Sequence, residues 1–409
     1  MDGATEHTQR ARTGTDRALT QPPAAWHGPA VLVALMLAAF AFNTAENLPV
    51  GLLELISPSL RVSRPTVGLL VTGYGLTVAI ASVPLAHVMR AVPRRHVLTG
   101  LLAALVVSSL AAASANSYWL FLAARLLTAL AQALFWAVLG PVAVGLFTPR
   151  VRGRVVAALS VAGSLALVLG VPAGTWLGRQ STWRVPIAVL AAAGCISWVT
   201  IAALLPTSRP DEEPAAYGTS PNARRFTTVL VSGALSATGA FAGYTYISTF
   251  LGEVSGFSPS AVNALFVVFG FACLAGVSIT GALLDRFPRS ALVAAVAAQA
   301  AGMFGLYAAG SEPMAAVAFL ALTGGALGPV FMTTQNAMLE CAPRRTDIAL
   351  AANSGAYNAG IAAGAALGAL TLTLADVRST FLAGSLLTTA ACATLLCELL
   401  LPARRTTTT

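Results

Sequence analysis

The 409 residues contain no lysine; all 24 basic residues are arginine. A P-loop needs a lysine on the nucleotide phosphates, and Schiff-base catalysis needs a lysine amine, so both are excluded. Charge of either sign is scarce, at 10% of residues against 56% hydrophobic, with mean hydropathy +0.77. Such a balance excludes a water-soluble globular chain of this length. The four histidines, His7, His27, His87 and His96, lie in the N-terminal tail or at helix ends and form no His-Glu-x-x-His pattern. Cys195, Cys273, Cys341, Cys392 and Cys397 have no paired spacing, and all but one fall inside apolar runs, as small packing residues do. Neither metal nor acid/base catalysis is indicated; no enzyme activity and no cofactor are expected.

What the chain has instead is apolar length. A bilayer crossing takes roughly 20 consecutive apolar residues. Runs of that kind stand at 29-56, 66-89, 96-114, 119-147, 155-178 and 184-205, then at 226-251, 260-284, 291-310, 314-340, 348-374 and 380-401. The expected fold is an all-α membrane protein of twelve transmembrane helices in two pseudo-symmetric six-helix bundles. Residues 1-28 form an N-terminal tail, 29-205 the first bundle, 206-225 a polar linker, 226-401 the second bundle and 402-409 a C-terminal tail. The run after the tail is too long for a cleavable signal. Pro210, Pro214, Pro221 and the acidic Asp211-Glu212-Glu213 mark the linker.

Inner loops of membrane proteins are enriched in arginine. Of the 24 arginines, only Arg61, Arg64, Arg179, Arg184 and Arg378 would face outward if the N-terminus is inside, and Arg125 lies within a span. Both termini are therefore expected in the cytoplasm, with the chain a multi-pass protein of the cytoplasmic membrane. The net charge of +9 then reflects topology, not a nucleic-acid partner. The expected partners are the lipid bilayer, a proton and a small-molecule substrate, with no ATP and no nucleic acid; the chain is expected to be a monomer.

The halves repeat. Met89-Arg90-Ala91-Val92-Pro93-Arg94 returns 195 residues later as Leu284-Asp285-Arg286-Phe287-Pro288-Arg289, and Ser63 and Gly75 return as Ser258 and Gly270. At an offset of 194, Pro149, Ser160, Gly170 and Gly174 return as Pro343, Ser354, Gly364 and Gly368. A parallel repeat of a membrane-embedded half marks transporters that rock two bundles about a central site.

One carboxylate stands in mid-span. Glu46, in Phe42-Asn43-Thr44-Ala45-Glu46-Asn47-Leu48-Pro49, would cost roughly 3 kcal/mol as a charge at the bilayer centre. It must find a partner, a wet cavity or a proton. Two readings follow: a proton carrier, or a static ion pair with Arg125. Pro49 removes a backbone hydrogen bond and is expected to loosen the helix beside Glu46. Glu54 reads as a solvated rim group or as a second proton site.

These residues resemble the major facilitator superfamily, and within it the twelve-span drug/proton antiporters, with the nearest likeness to bacterial chloramphenicol-efflux and sugar-efflux members. Thr44-Ala45-Glu46 ahead of Gly51-Leu52-Leu53 is similar to that group's first-helix signature. Arg125 in Ala124-Arg125-Leu126 is similar to the fourth-helix arginine that the family implicates in proton coupling. The run Gly163 to Gly174, with Gly170 and Pro172, resembles the fifth-helix antiporter motif, which in the family marks exporters. The second loop copy keeps Gly281, Asp285, Arg286 and Arg289 of the family pattern; the first has Ala86 and Arg90 where glycine and aspartate belong, and retains Arg94. The departure suggests crossed gates, Arg90 with Asp347 and Asp285 with Arg152 or Arg154, or charges that only set topology.

Carriers of this class bind substrate near the midplane between the halves. Polar and aromatic residues at that depth are Asn43, Asn47, Tyr74, Gln132 and Trp136 from the first half, with Phe241, Tyr244, Gln335, Asn336, Asn353, Tyr357 and Asn358 from the second. Each is as compatible with helix packing as with ligand contact. Together they suit a hydrophobic or amphiphilic, ring-bearing molecule. The resemblance implies proton-coupled efflux of antibiotics or secreted metabolites by alternating access. Export of sugars, nucleosides or amino acids is the alternative, ahead of an uptake symporter or a non-transporting sensor.

Overall fold

The computed structural model describes residues 27–89, 92–147, 152–207, 220–284, 286–343 and 346–400. Those residues form helices, twelve of which are long and apolar enough to cross a membrane. Hydrocarbon offers the backbone no hydrogen-bond partner, so each crossing must satisfy its own amides and carbonyls. The spans are α1 His27–Ser59, α2 Arg64–Val88, α3 Arg94–Ala113, α4 Tyr118–Gly145, α5 from Arg152 to Gln180 and α6 Arg184–Leu204. The second six are α7 from Ala223 to Glu253, α8 Pro259–Leu284, α9 Pro288–Ala309, α10 Pro313–Cys341, α11 Thr346–Leu374 and α12 Val377–Leu400.

Two spans are interrupted. In α5 a π turn over Ala166–Gly170 joins Arg152–Leu165 to Val171–Gln180, immediately before Pro172. The Val171 amide reaches back to Ala166, which accommodates the residue that cannot donate. In α7, Ala223–Tyr244 is separated from Ile247–Glu253 by Thr245 and Tyr246. α7 also begins at Ala223, inside the stretch expected to be linker. Residues 208–219 of that stretch lie outside the described residues.

The repeat is carried into the structure atom by atom. Ser63 Oγ accepts from the Thr66 amide at 3.3 Å to start α2, and Ser258 Oγ accepts from the Ala261 amide at 3.3 Å to start α8. Arg184 donates to the carbonyl of Ala115 at 2.8 Å, past the end of α3. Its counterpart 194 residues on, Arg378, donates to Tyr307 and Ala308 at 2.5 and 3.0 Å, at the end of α9. Both close helix C-termini, where free carbonyls and the helix dipole favour a cation.

Glycines set the contact between the bundles. A methyl at Gly75 on α2 would stand 2.8 Å from the Asn358 carbonyl and 3.0 Å from the Ala362 amide on α11. A methyl at Gly270 on α8 would stand 2.5 Å from the Leu167 carbonyl and from Val168 Cα on α5. Ala362 is Val168 plus 194, so the two crossings are symmetry mates. Only glycine permits such backbone approach. Within the first bundle, Thr44, Leu48 and Leu52 of α1 meet Gly170, Gly174 and Gly178 of α5 along one seam. The motif glycines therefore pack on the helix that carries Glu46.

Candidate functional site

Glu46 lies midway along α1 and is half-buried, with Asn43 one turn before it and Asn47 directly after it also half-buried. Its Oε2 accepts from Gln132 Nε2 on α4 at 2.6 Å. Gln132 Oε1 in turn accepts from the Tyr74 hydroxyl on α2 at 2.5 Å. Three spans thus converge on one carboxylate through Tyr74, Gln132 and Glu46.

Arg125 does not complete an ion pair there. Its Nη1 donates to the Ala45 carbonyl and its Nη2 to the Glu46 carbonyl at 3.1 Å. The guanidinium also lies 4.3 Å from the centre of the Tyr74 ring. The ion pairs within 4.0 Å among the described residues do not include Glu46 with Arg125. A helical amide at position 49 would bond the carbonyl four residues back, that of Ala45, and Pro49 has none. The orphaned carbonyl is met by the arginine. Pro49 does not open the helix, as α1 runs unbroken from His27 to Ser59.

The remaining expected residues fall into two groups. Asn43 Nδ2 donates to the Gly163 carbonyl at 3.0 Å and ties α1 to α5. Trp136 is 38% exposed and meets Phe135 edge-on at 5.4 Å. From the second bundle, Tyr244 stacks on Phe269 at 5.0 Å and meets Phe241 at 5.5 Å, and Tyr357 meets Phe331 at 4.9 Å. Gln335 and Asn336 are half-buried on α10. Others are committed to the scaffold: Asn47 donates to the Asn43 carbonyl and Asn358 to the Ser354 carbonyl, each one turn back on its own helix. Asn353 faces Thr334 at 3.4 Å, and Asn336 donates to Glu340 at 3.1 Å.

Of the expected gate residues, Arg90 and Asp285 lie outside the described residues, as do the side chains of Asp347, Arg152 and Arg154. Arg94 is half-buried at the start of α3, Arg289 is exposed on α9, and Arg286 lies 5.4 Å from the centre of the Phe287 ring. Gly163, Gly170, Pro172 and Gly174 lie in or beside the interrupted part of α5.

Charged clusters that sequence reasoning passed over sit at the two ends of the fold. At the end carrying the α1–α2 loop, Arg64 bonds Glu54 at 3.0 Å and also Glu253 of the second bundle. Thr249 donates to Glu54 at 2.6 Å, and Ser248 to the Val50 carbonyl at 3.3 Å. Glu54 and Thr249 are 195 apart, so they are symmetry mates meeting on the pseudo-axis, a signal the repeat offset contained. Glu54 is thus neither a free rim group nor isolated. At the linker end, Arg225 is buried and bonds Glu340 at 3.2 Å, with Glu398 at 4.0 Å. That cluster joins α7, α10 and α12.

Known proteins agree with this architecture. A chloramphenicol efflux pump of Mycobacterium tuberculosis is 34% identical over 383 residues, covering 88% of this chain and 90% of that protein. A probable sugar efflux transporter of Helicobacter pylori is 28% identical over 339 residues, covering 82% and 86%. The solved structure of a human organic anion transporter superposes with a TM-score of 0.65 at 17% identity, covering 91% of this chain and 100% of that one, a likeness of fold. The sequence model of the Major Facilitator Superfamily matches residues 35–258 and 229–409. A chain of twelve spans, built as two repeated bundles around a mid-membrane carboxylate and matched to that family over almost its whole length, belongs to the major facilitator superfamily.

Proposed function

We propose that the protein exports small hydrophobic or amphiphilic compounds from the cytoplasm in exchange for protons, and that Glu46 carries the proton. The observation that carries this reading is the setting of Glu46: a half-buried mid-membrane carboxylate held by one neutral amide, with the nearby cation spent on backbone carbonyls. A carboxyl so placed can exchange a proton with whichever side the cavity meets. The aromatic cluster of Phe241, Tyr244 and Phe269 on the second bundle suits a ring. The relative named for chloramphenicol efflux supports a ring-bearing antibiotic as substrate.

With the termini taken as cytoplasmic, the α1–α2 loop end is the outer one. Among the described residues, the hydrogen bonds and ion pairs between bundles all lie at the α1–α2 loop end, through Arg64, Glu253, Thr249, Glu54, Ser248 and Val50. Substrate enters from the linker end, competes with the proton for the Glu46 region, and leaves when the Arg64 tie opens. Export of a sugar is a second reading, supported by the Helicobacter pylori relative.

The test is paired. A pump-deficient host expressing wild type or Glu46→Gln is challenged with phenicols and other ring-bearing antibiotics, and everted vesicles are assayed for proton-driven accumulation of those compounds and of labelled sugars. Wild type confers resistance and accumulates a ring-bearing compound, while Glu46→Gln does neither. Full active transport by Glu46→Gln contradicts the proton assignment; accumulation of sugars alone replaces the substrate class.

A further inference from the structure

Pro49 and Arg125 occur in the same bundle and are absent together from the other. Adding the repeat offset of 195 carries Pro49 to Tyr244, Ala45 to Ala240 and Arg125 to Leu320. Where the proline is missing, no cation is needed. In the first bundle both are present, and the atom that links them is the Ala45 carbonyl, four residues before the proline and bonded by Arg125 Nη1. A proline that removes a helical bond inside a membrane is tolerated when another group re-satisfies the carbonyl it orphans.

We infer that Pro49 is a positioning residue for the proton site: by orphaning the Ala45 carbonyl it draws the Arg125 guanidinium onto the α1 backbone and keeps it off the Glu46 carboxylate. This rests on the proposed role of Glu46. The guanidinium is otherwise loosely committed. Its Nε is buried without a hydrogen-bond partner, and beside it lies a cavity of about 20 Å³ lined by Ala45, Pro49, Ser109, Thr128 and Arg125 itself. Its two backbone bonds and the Tyr74 ring face hold it in place. Take away the orphaned carbonyl and Nη1 is free to turn to the Glu46 carboxylate, whose charge already feels Arg125 and which would then gain a direct cation beside the Gln132 amide. The titratable and charged groups around Glu46 are Arg125 on α4, Tyr74 on α2, and Tyr244 and Tyr357 on α7 and α11. Arg125 is the one cation among them.

The experiment follows the carboxylic acid stretch of Glu46 by infrared difference spectroscopy on the full-length protein in lipid, assigned as the band present in wild type and lost in Glu46→Gln. Pro49→Ala returns an amide to position 49 and releases Arg125; the protonation midpoint of the band should fall by about one to three pH units, the effect of an opposite charge brought into contact. Pro49→Gly also returns the amide and should shift the midpoint in the same direction, which covers a poorly folding alanine variant. In an Arg125→Gln background the alanine substitution should leave the midpoint where it is, since no cation remains to move. A wild-type protein with no Glu46 band overturns the proposed function and this inference with it. A band present in wild type and unmoved by both Pro49 variants, or moved equally without Arg125, overturns the inference alone and leaves Pro49 a structural residue.

Discussion

Replacing Gly270 with alanine tests the contact between the bundles, and its cost can be worked from the geometry. The added methyl would stand 2.5 Å from two backbone atoms of α5, the Leu167 carbonyl oxygen and Val168 Cα, where ordinary contact begins at 3.4 Å. Neither atom can rotate away, so α5 and α8 must part by most of an ångström at the π turn. Overpacking of this kind costs about 1–3 kcal/mol. Taken as a bias against the arrangement in which these helices touch, that is about a 5- to 150-fold change in population. The symmetry mate Gly75 is less crowded, at 2.8 and 3.0 Å, and its alanine variant should fall at the low end of the range. Gly281, with nothing within 4 Å, is the control and should stay within about 0.5 kcal/mol of wild type. Apparent thermal unfolding in detergent should rank the three variants with Gly270→Ala least stable and Gly281→Ala unchanged. Equal stability of Gly270→Ala and Gly281→Ala would refute the close crossing.

Three further outcomes are expected. Arg64→Ala removes ties to Glu54 and Glu253 that are partly exposed and worth about 1 kcal/mol or less each; spin labels at Ser117 and Ser311 should report roughly a fivefold gain in the longer-distance population. Arg184→Ala and Arg378→Ala uncap equivalent helix ends, and denaturant titration should show similar losses of about 1–2 kcal/mol for each. Asp376 caps α12, and bonds from the Ser379 hydroxyl and amide hold its carboxyl below the usual carboxylate range. Because the folded value is depressed, its contribution is present above the unfolded value and lost as pH falls through the folded one. Asp376→Ala should therefore cost about 1 kcal/mol at neutral pH, with wild type and variant converging in acid unfolding.

Helix number and approximate position were legible because apolar length and loop arginines are strong, local signals. The repeat offset was legible too, and it reached further than its first use: Glu54 with Thr249 and Arg184 with Arg378 are related by it, yet their roles emerge only from which atoms meet. The break in α7 at Thr245 and Tyr246 was hidden, since no proline marks it and the run reads as continuous hydrophobic helix. At the site, the residue types around Glu46 were legible and the bonding was not. A charge pair was one of the two readings open for a lone carboxylate and a lone arginine. The arginine instead meets the Ala45 carbonyl, which Pro49 leaves without its helical donor, a bond legible only once the two helices are known to be adjacent.

The central claim is that substrate and proton share the Glu46 site. Purified protein in weakly buffered detergent solution, near the pH at which Glu46 is half-protonated, should release protons when a transported compound is added, and Glu46→Gln should bind the compound with no release. Equal proton release from wild type and Glu46→Gln, or binding to wild type with none, would contradict the account.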